Sequence, residues 1–88
     1  MSDAKKPAAP ASKVTIWPVT GIVWRNEGSK GAFYTAQFER SYKDSEGKYK
    51  SSDSFNSSDL LILAEVARLT FMEITKLRAN DKTAAAEE

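Results

Sequence analysis

The chain contains no cysteine and no histidine. Without cysteine there are no disulfides and no thiolate nucleophiles. Without histidine there are no imidazole bases, and the ordinary zinc ligands are missing with both. The absence of cysteine also suits a reducing compartment. An excess of either charge is missing as well: thirteen Lys and Arg face twelve Asp and Glu, for a net charge of +1 over 88 residues. Bulk charge therefore gives no argument for a polyanionic partner. No stretch approaches the roughly 20 apolar residues of a membrane span. No apolar run follows the lysine pair of "MSDAKKPAAPASK", so no secretory leader is expected. A soluble, cytoplasmic protein without a membrane partner is the expectation. The acids that could carry chemistry, Glu39, Asp44, Glu46 and Asp53, fall mostly in turns and are mixed with lysines. That is the pattern of a solvated hairpin, so no catalytic residue, metal or cofactor is expected, and the protein is not expected to be an enzyme.

What is present is ordinary globular composition, 41% hydrophobic and 28% charged, enough for one small domain. Residues 1–13 are mostly Ala, Pro, Lys and Ser. Such a segment cannot bury enough apolar surface to offset its ordering entropy, so it is expected to be a disordered arm. Residues 80–88 are expected to be a tail, leaving one domain over 14–79.

Within that domain "VTIWPVTGIVWRN" is rich in β-branched and aromatic residues, the composition of strands. Pro18 has no amide to donate and marks an edge, a bulge or a break. The run is divided into strands 14–17 and 19–26, with one bent strand as the alternative. "NEGSKG" at 26–31 is a turn. "AFYTAQFERSYK" at 32–43 is a long strand, "DSEG" closes a hairpin in which Gly47 can take the left-handed position, and "KYKSSDSF" at 48–55 is a more polar strand. The period then changes. "NSSDLLILAEVARLTFMEITKLRA", 56–79, is a helix, capped by Asn56, Ser57 or Ser58, with Asp59 in the first turn and Lys76 and Arg78 in the last. The fold class is α+β, ββββα: an antiparallel sheet of three to four strands and one long amphipathic C-terminal helix.

Alternation along the strands assigns faces. Ile22, Trp24, Tyr34, Ala36, Phe38, Tyr49 and Phe55 are expected beneath the helix. Arg25, Phe33, Gln37, Lys43, Lys48 and Lys50 are expected on the opposite, open face, with Trp17 beside them. On the helix, Leu60, Leu63, Ala64, Val66, Ala67, Thr70, Phe71, Ile74 and Leu77 fill an arc of about 160° that can cover the sheet. Leu61, Ile62, Leu69 and Met72 then lie on the far side. Four large apolar residues there predict a second buried surface, a helix-mediated homodimer. It would also help a marginal core of this size.

An uncovered sheet face with cations, amides and aromatics suits single-stranded DNA or RNA: lysines and arginines track phosphates and rings stack on unpaired bases. The nucleic-acid candidates are Trp17, Arg25, Phe33, Gln37, Lys43, Lys48 and Lys50. The plain alternative for each lysine is a solvated hairpin position that discourages edge pairing. For Trp17 it is a core edge or a dimer contact. The order of strands and then a long, dimerising helix resembles the Whirly and Pur-alpha type of single-stranded nucleic-acid binder, over about 14–79. That resemblance implies a dimer whose curved sheet binds DNA or RNA. Separately, "IVWRNEG", "FERSYKDSEGKYKSSDSF" and "DLLILAEVA" are similar to a group of short, uncharacterised bacterial proteins, which implies no activity. The expected function is thus a small homodimeric single-strand binder. The alternative is a protein-interaction or assembly module with no nucleic-acid role.

Overall fold

The computed structural model describes residues 9–86, with side chains as far as Asp81. Four strands, β1 Ser12–Ile16, β2 Val19–Gly28, β3 Gly31–Lys43 and β4 Tyr49–Ser52, are followed by a short 3-10 turn, Ser57–Asp59, and one helix, α1 Leu60–Ala86. The strands form a single antiparallel sheet in the order β1-β2-β3-β4. This is the ββββα architecture, an open sheet with one helix laid on it. Two boundaries differ from the sequence reading. β1 begins at Ser12, inside the segment expected to be an arm, whose first eight residues lie outside the described ones. α1 continues past residue 79 to Ala86, because the "NDKTAAA" stretch contains no helix breaker.

Pro18 separates β1 from β2. The Trp17–Pro18 peptide is cis. The Pro18 carbonyl accepts a hydrogen bond from the Ser41 amide at 2.8 Å, which ties this turn to β3. Gly47, at φ 82°, occupies the left-handed position in the β3–β4 loop. In the same loop Asp44 Oδ1 accepts the amides of Glu46 and Lys48, both at 2.9 Å. These bonds, the Lys48 amide first, hold the Asp44 carboxyl below the usual carboxylate range.

The core is narrow. Val19, Val23, Val66 and Thr70 are almost wholly buried, and Ile22 is 8% exposed. α1 sits over β1 and β2, and Gly21 is where it comes closest: a Cβ built there would lie 2.4 Å from Thr70 Oγ1 and 3.2 Å from the Val66 side chain. A glycine at this position lets the helix approach the backbone. The odd residues of β2, Val19, Gly21, Val23 and Arg25, therefore face α1. The helix is further secured by Ser12, whose hydroxyl donates to Glu73 at 3.0 Å. At its far end Asp81 accepts from Tyr34 at 2.6 Å and from Arg25 at 3.5 Å.

Several expected faces are corrected by this packing. Tyr34, Ala36 and Phe38 do lie on the helix side, but Ile22, Trp24 and Tyr49 lie on the other. The cause is turn length. β2 and β3 are joined by only Ser29 and Lys30, which sets Gly21 opposite Phe38 and Ile22 opposite Gln37. Odd residues of β2 thus share a face with even residues of β3. The five-residue loop 44–48 sets Lys43 opposite Tyr49, so odd pairs with odd. Phe55 is half-buried beyond the end of β4.

Helix rotation is corrected too. The line through Val66 and Thr70 meets the sheet, and the half-buried Ile62, Leu69, Glu73 and Leu77 flank it. Leu60, Ala64 and Phe71, expected beneath the helix, are exposed. The four residues expected to form a helix-to-helix contact are divided: Leu61 and Met72 are 86% and 55% exposed, while Ile62 and Leu69 are half-buried on the sheet side.

Candidate nucleic-acid interface

Among the described residues no helix covers the second face of the sheet, and the register fixes its contents. Across β1 and β2 it carries Lys13, Thr15, Thr20, Ile22, Trp24 and Asn26. Across β3 and β4 it carries Phe33, Thr35, Gln37, Glu39, Ser41, Lys43, Tyr49 and Ser51. Glu39 is the single acid among these strand residues, whereas Glu27, Glu73 and Asp81 belong to the helix side. The helix side balances these acids with Arg25, Arg40 and Lys50, so neither face carries a marked excess of charge.

Two aromatic groups stand on this surface, at opposite ends of β3. Trp24 lies opposite Thr35, and Phe33 lies opposite Asn26, so the two residues are diagonal neighbours about 7–8 Å apart at their Cα atoms, with the indole leaning toward Gln37 and the Phe33 ring lying over Gly28. The Trp24 Nε1 donates to Gln37 Oε1 at 2.7 Å, and the Asn26 amide donates to Thr35 Oγ1 at 3.2 Å. These bonds orient the indole and tie the two strands together, while Phe33 is left 51% exposed. At the other end Trp17 and Tyr49 meet edge to face with ring centroids 5.9 Å apart. Lys43 Nζ stands 5.4 Å from the Tyr49 ring centre, within reach of a cation–π contact. Trp17 is 61% and Tyr49 65% exposed. Ten residues of β3 separate Phe33 from Lys43, roughly 33 Å along an extended strand.

The sequence-derived candidates divide between the two faces. Phe33, Gln37 and Lys43 are on the open face, and Trp17 joins it at the β1–β2 turn. Lys48 is an exposed residue of the β3–β4 loop. Arg25 is on the helix side: its guanidinium pairs with Glu27 and Asp81. Its bonds to Tyr34 and Glu27 raise its pKa above the ordinary arginine value. The bond from Tyr34 depresses the Asp81 carboxyl and raises the Tyr34 hydroxyl. Arg25 thus fastens the helix end rather than standing free. Lys50, opposite Tyr42, also lies on the helix side and pairs with Asp44 at 3.4 Å. Sequence reasoning missed Trp24, Tyr49 and Lys13. The signal that finds the first two is the parity set by loop length, provided the turn is shortened to Ser29–Lys30.

Among the described residues no group of His, Cys, Asp and Glu is arranged to hold a metal ion, and no helix is long and apolar enough to cross a membrane. Comparison with known proteins finds no matching family model, no matching curated protein and no matching solved structure.

Proposed function

We propose that this protein binds single-stranded DNA or RNA on the open face of its sheet and acts as a homodimer. The observation that carries this reading is the open face itself: Trp24 and Phe33 on adjacent strands, among the amides and hydroxyls of Asn26, Thr35 and Gln37, with no helix over them among the described residues. Exposed rings on a sheet accept unpaired bases by stacking, at about 1–3 kcal/mol per base, with little regard for sequence. Lys13 and Lys43 lie on the same face, and Lys48 and Lys30 in its bordering turns, where they can follow a phosphate chain. The Trp17–Tyr49 pair at the far end gives a second stacking position.

The test is fluorescence anisotropy of a labelled oligonucleotide of about 20 single-stranded residues, titrated at two salt concentrations. Saturable binding that weakens with salt is expected. Trp24→Ala and Phe33→Ala should each weaken it by about 5- to 150-fold, the equivalent of one lost stack. No binding at low salt would sink the proposal. A second reading, a protein-interaction module, is favoured by the outward side of α1, where Leu60, Leu61, Phe71 and Met72 are 50–86% exposed. Binding there would depend on those anchors and hardly on salt.

A further inference from the structure

β3 is paired along most of its length on one side only. β2 accompanies it from Gly31 to Arg40, while β4 pairs with Arg40–Lys43 alone. On the β4 side, the nine residues 31–39 have no strand partner among the described residues. The Ser41 amide points toward β2, to the Pro18 carbonyl. By alternation the even residues of β3 point the other way. Ala32, Tyr34, Ala36 and Phe38 therefore present four amides and four carbonyls along a free edge. Such edges are normally blunted by lysine, proline or a bulge. The sequence here is "AFYTAQF", with no charge and no proline.

Building on the dimeric reading above, we infer that this edge pairs with the same edge of a second copy, β3 against β3, antiparallel about a two-fold axis through Thr35. One feature gives the register and a second is compatible with it. The free stretch 31–39 is centred on residue 35, so only that register pairs it fully with itself, Gly31 falling opposite Glu39 where β4 departs. The same register sets Ala32 opposite Phe38 and Tyr34 opposite Ala36, so each aromatic ring meets an alanine and no two rings collide. Both pairs are of the hydrogen-bonded kind, each occurs twice across the axis, and the four together exchange up to eight bonds. A two-fold axis on Tyr34 or Ala36 places that residue against itself and leaves two residues of the edge unpaired, and an axis on Phe33 or Gln37 leaves four unpaired.

The result is a continuous eight-stranded sheet with both helices on one side. The two open faces merge. Phe33 of each copy stands opposite Gln37 of the other, and the two Trp24–Phe33 groups flank the axis. A single strand of nucleic acid could then run from one group to the next without leaving the sheet.

The absence of native cysteine makes the register directly testable. Across the axis the Cα atoms of residue 35 are about 4.5 Å apart, a non-hydrogen-bonded pair, which is within the span of a disulfide. Mild oxidation of Thr35→Cys should give a covalent species of twice the monomer mass. Phe33→Cys and Gln37→Cys should each stay uncrosslinked, since four residues of offset separate like positions by about 13 Å. Mixed together, they should crosslink to one another. Ala36→Pro, which removes an outward amide, should give a folded monomer by light scattering. Monomer at all concentrations, or crosslinking through Phe71→Cys on the helix and not through Thr35→Cys, would overturn the inference. Oligonucleotide binding is read separately. A crosslinked dimer that binds nothing defeats the functional reading alone, and a monomer that binds defeats the dimer alone.

Discussion

Replacing Gly21 with alanine measures how closely α1 lies on the sheet. The added Cβ would stand 2.4 Å from Thr70 Oγ1, 3.1 Å from a Phe38 ring carbon and 3.2 Å from a Val66 methyl. The first separation is about 1 Å too short, and Thr70 is 1% exposed. The helix must lift or Thr70 must leave its rotamer, and overpacking of this kind costs about 1–3 kcal/mol. Alanine restricts the unfolded chain more than glycine does, which offsets about 0.4–1 kcal/mol. A net loss of about 1.5 kcal/mol remains, equivalent to roughly 6–12 °C in Tm for a domain of this size. Thermal melts followed by circular dichroism read it. The companion variant Thr70→Ala should by itself be close to neutral. It deletes a buried hydroxyl that has no hydrogen-bond partner among the described residues, relieving about 1–3 kcal/mol, and it also deletes a buried methyl. In the double variant the collision is gone, so the loss should fall short of the sum by at least about 0.5 kcal/mol. A Gly21→Ala protein that melts like the parent, or a double variant whose losses simply add, would refute the close approach of helix and sheet.

Three further outcomes follow from the same geometry. Lys43→Glu should weaken oligonucleotide binding several-fold and reduce its salt dependence, while Lys50→Glu, on the opposite face, should change it little; equal effects measured by anisotropy would contradict the assignment of faces. The folded-state pKa values of Asp44 and Asp81 are depressed, so the stability they contribute is present above the ordinary carboxylate pKa of about 4 and is lost as pH falls below it. Urea titrations between pH 5 and pH 2.5 should show this loss, and Asp81→Asn should make it shallower. The Tyr34 hydroxyl is shifted up by the same contact, so its contribution is present below about pH 10 and disappears above it; Tyr34→Phe should flatten the alkaline limb of the same titration.

The sequence by itself determined the order of elements. The change from a two-residue to a 3.6-residue period at about residue 56, the break at Pro18, and the glycines of the two hairpins are local signals. Each acts through the chain's own dihedral preferences, and each is realised in the structure. The even residues of β3 were also assigned correctly to the helix side, because Tyr34, Ala36 and Phe38 are more apolar than their neighbours. Tertiary structure alone decided which side Trp24 and Tyr49 occupy. Side-chain size favoured burying Ile22 and Trp24 over Val23, yet the smallest residue of β2, Gly21, marks the face where the helix comes down. A cavity-free contact needs an absent side chain as much as a large one, and no count of apolar residues registers an absence. The parity of each strand pair rests on loop length, two residues after β2 and five after β3, and one residue more or less would exchange the faces of the strands that follow. The rotation of α1 about its axis was decided in the same way: Val66 and Thr70 meet the sheet because Gly21 admits them, and Leu60 and Phe71 are turned outward as a consequence.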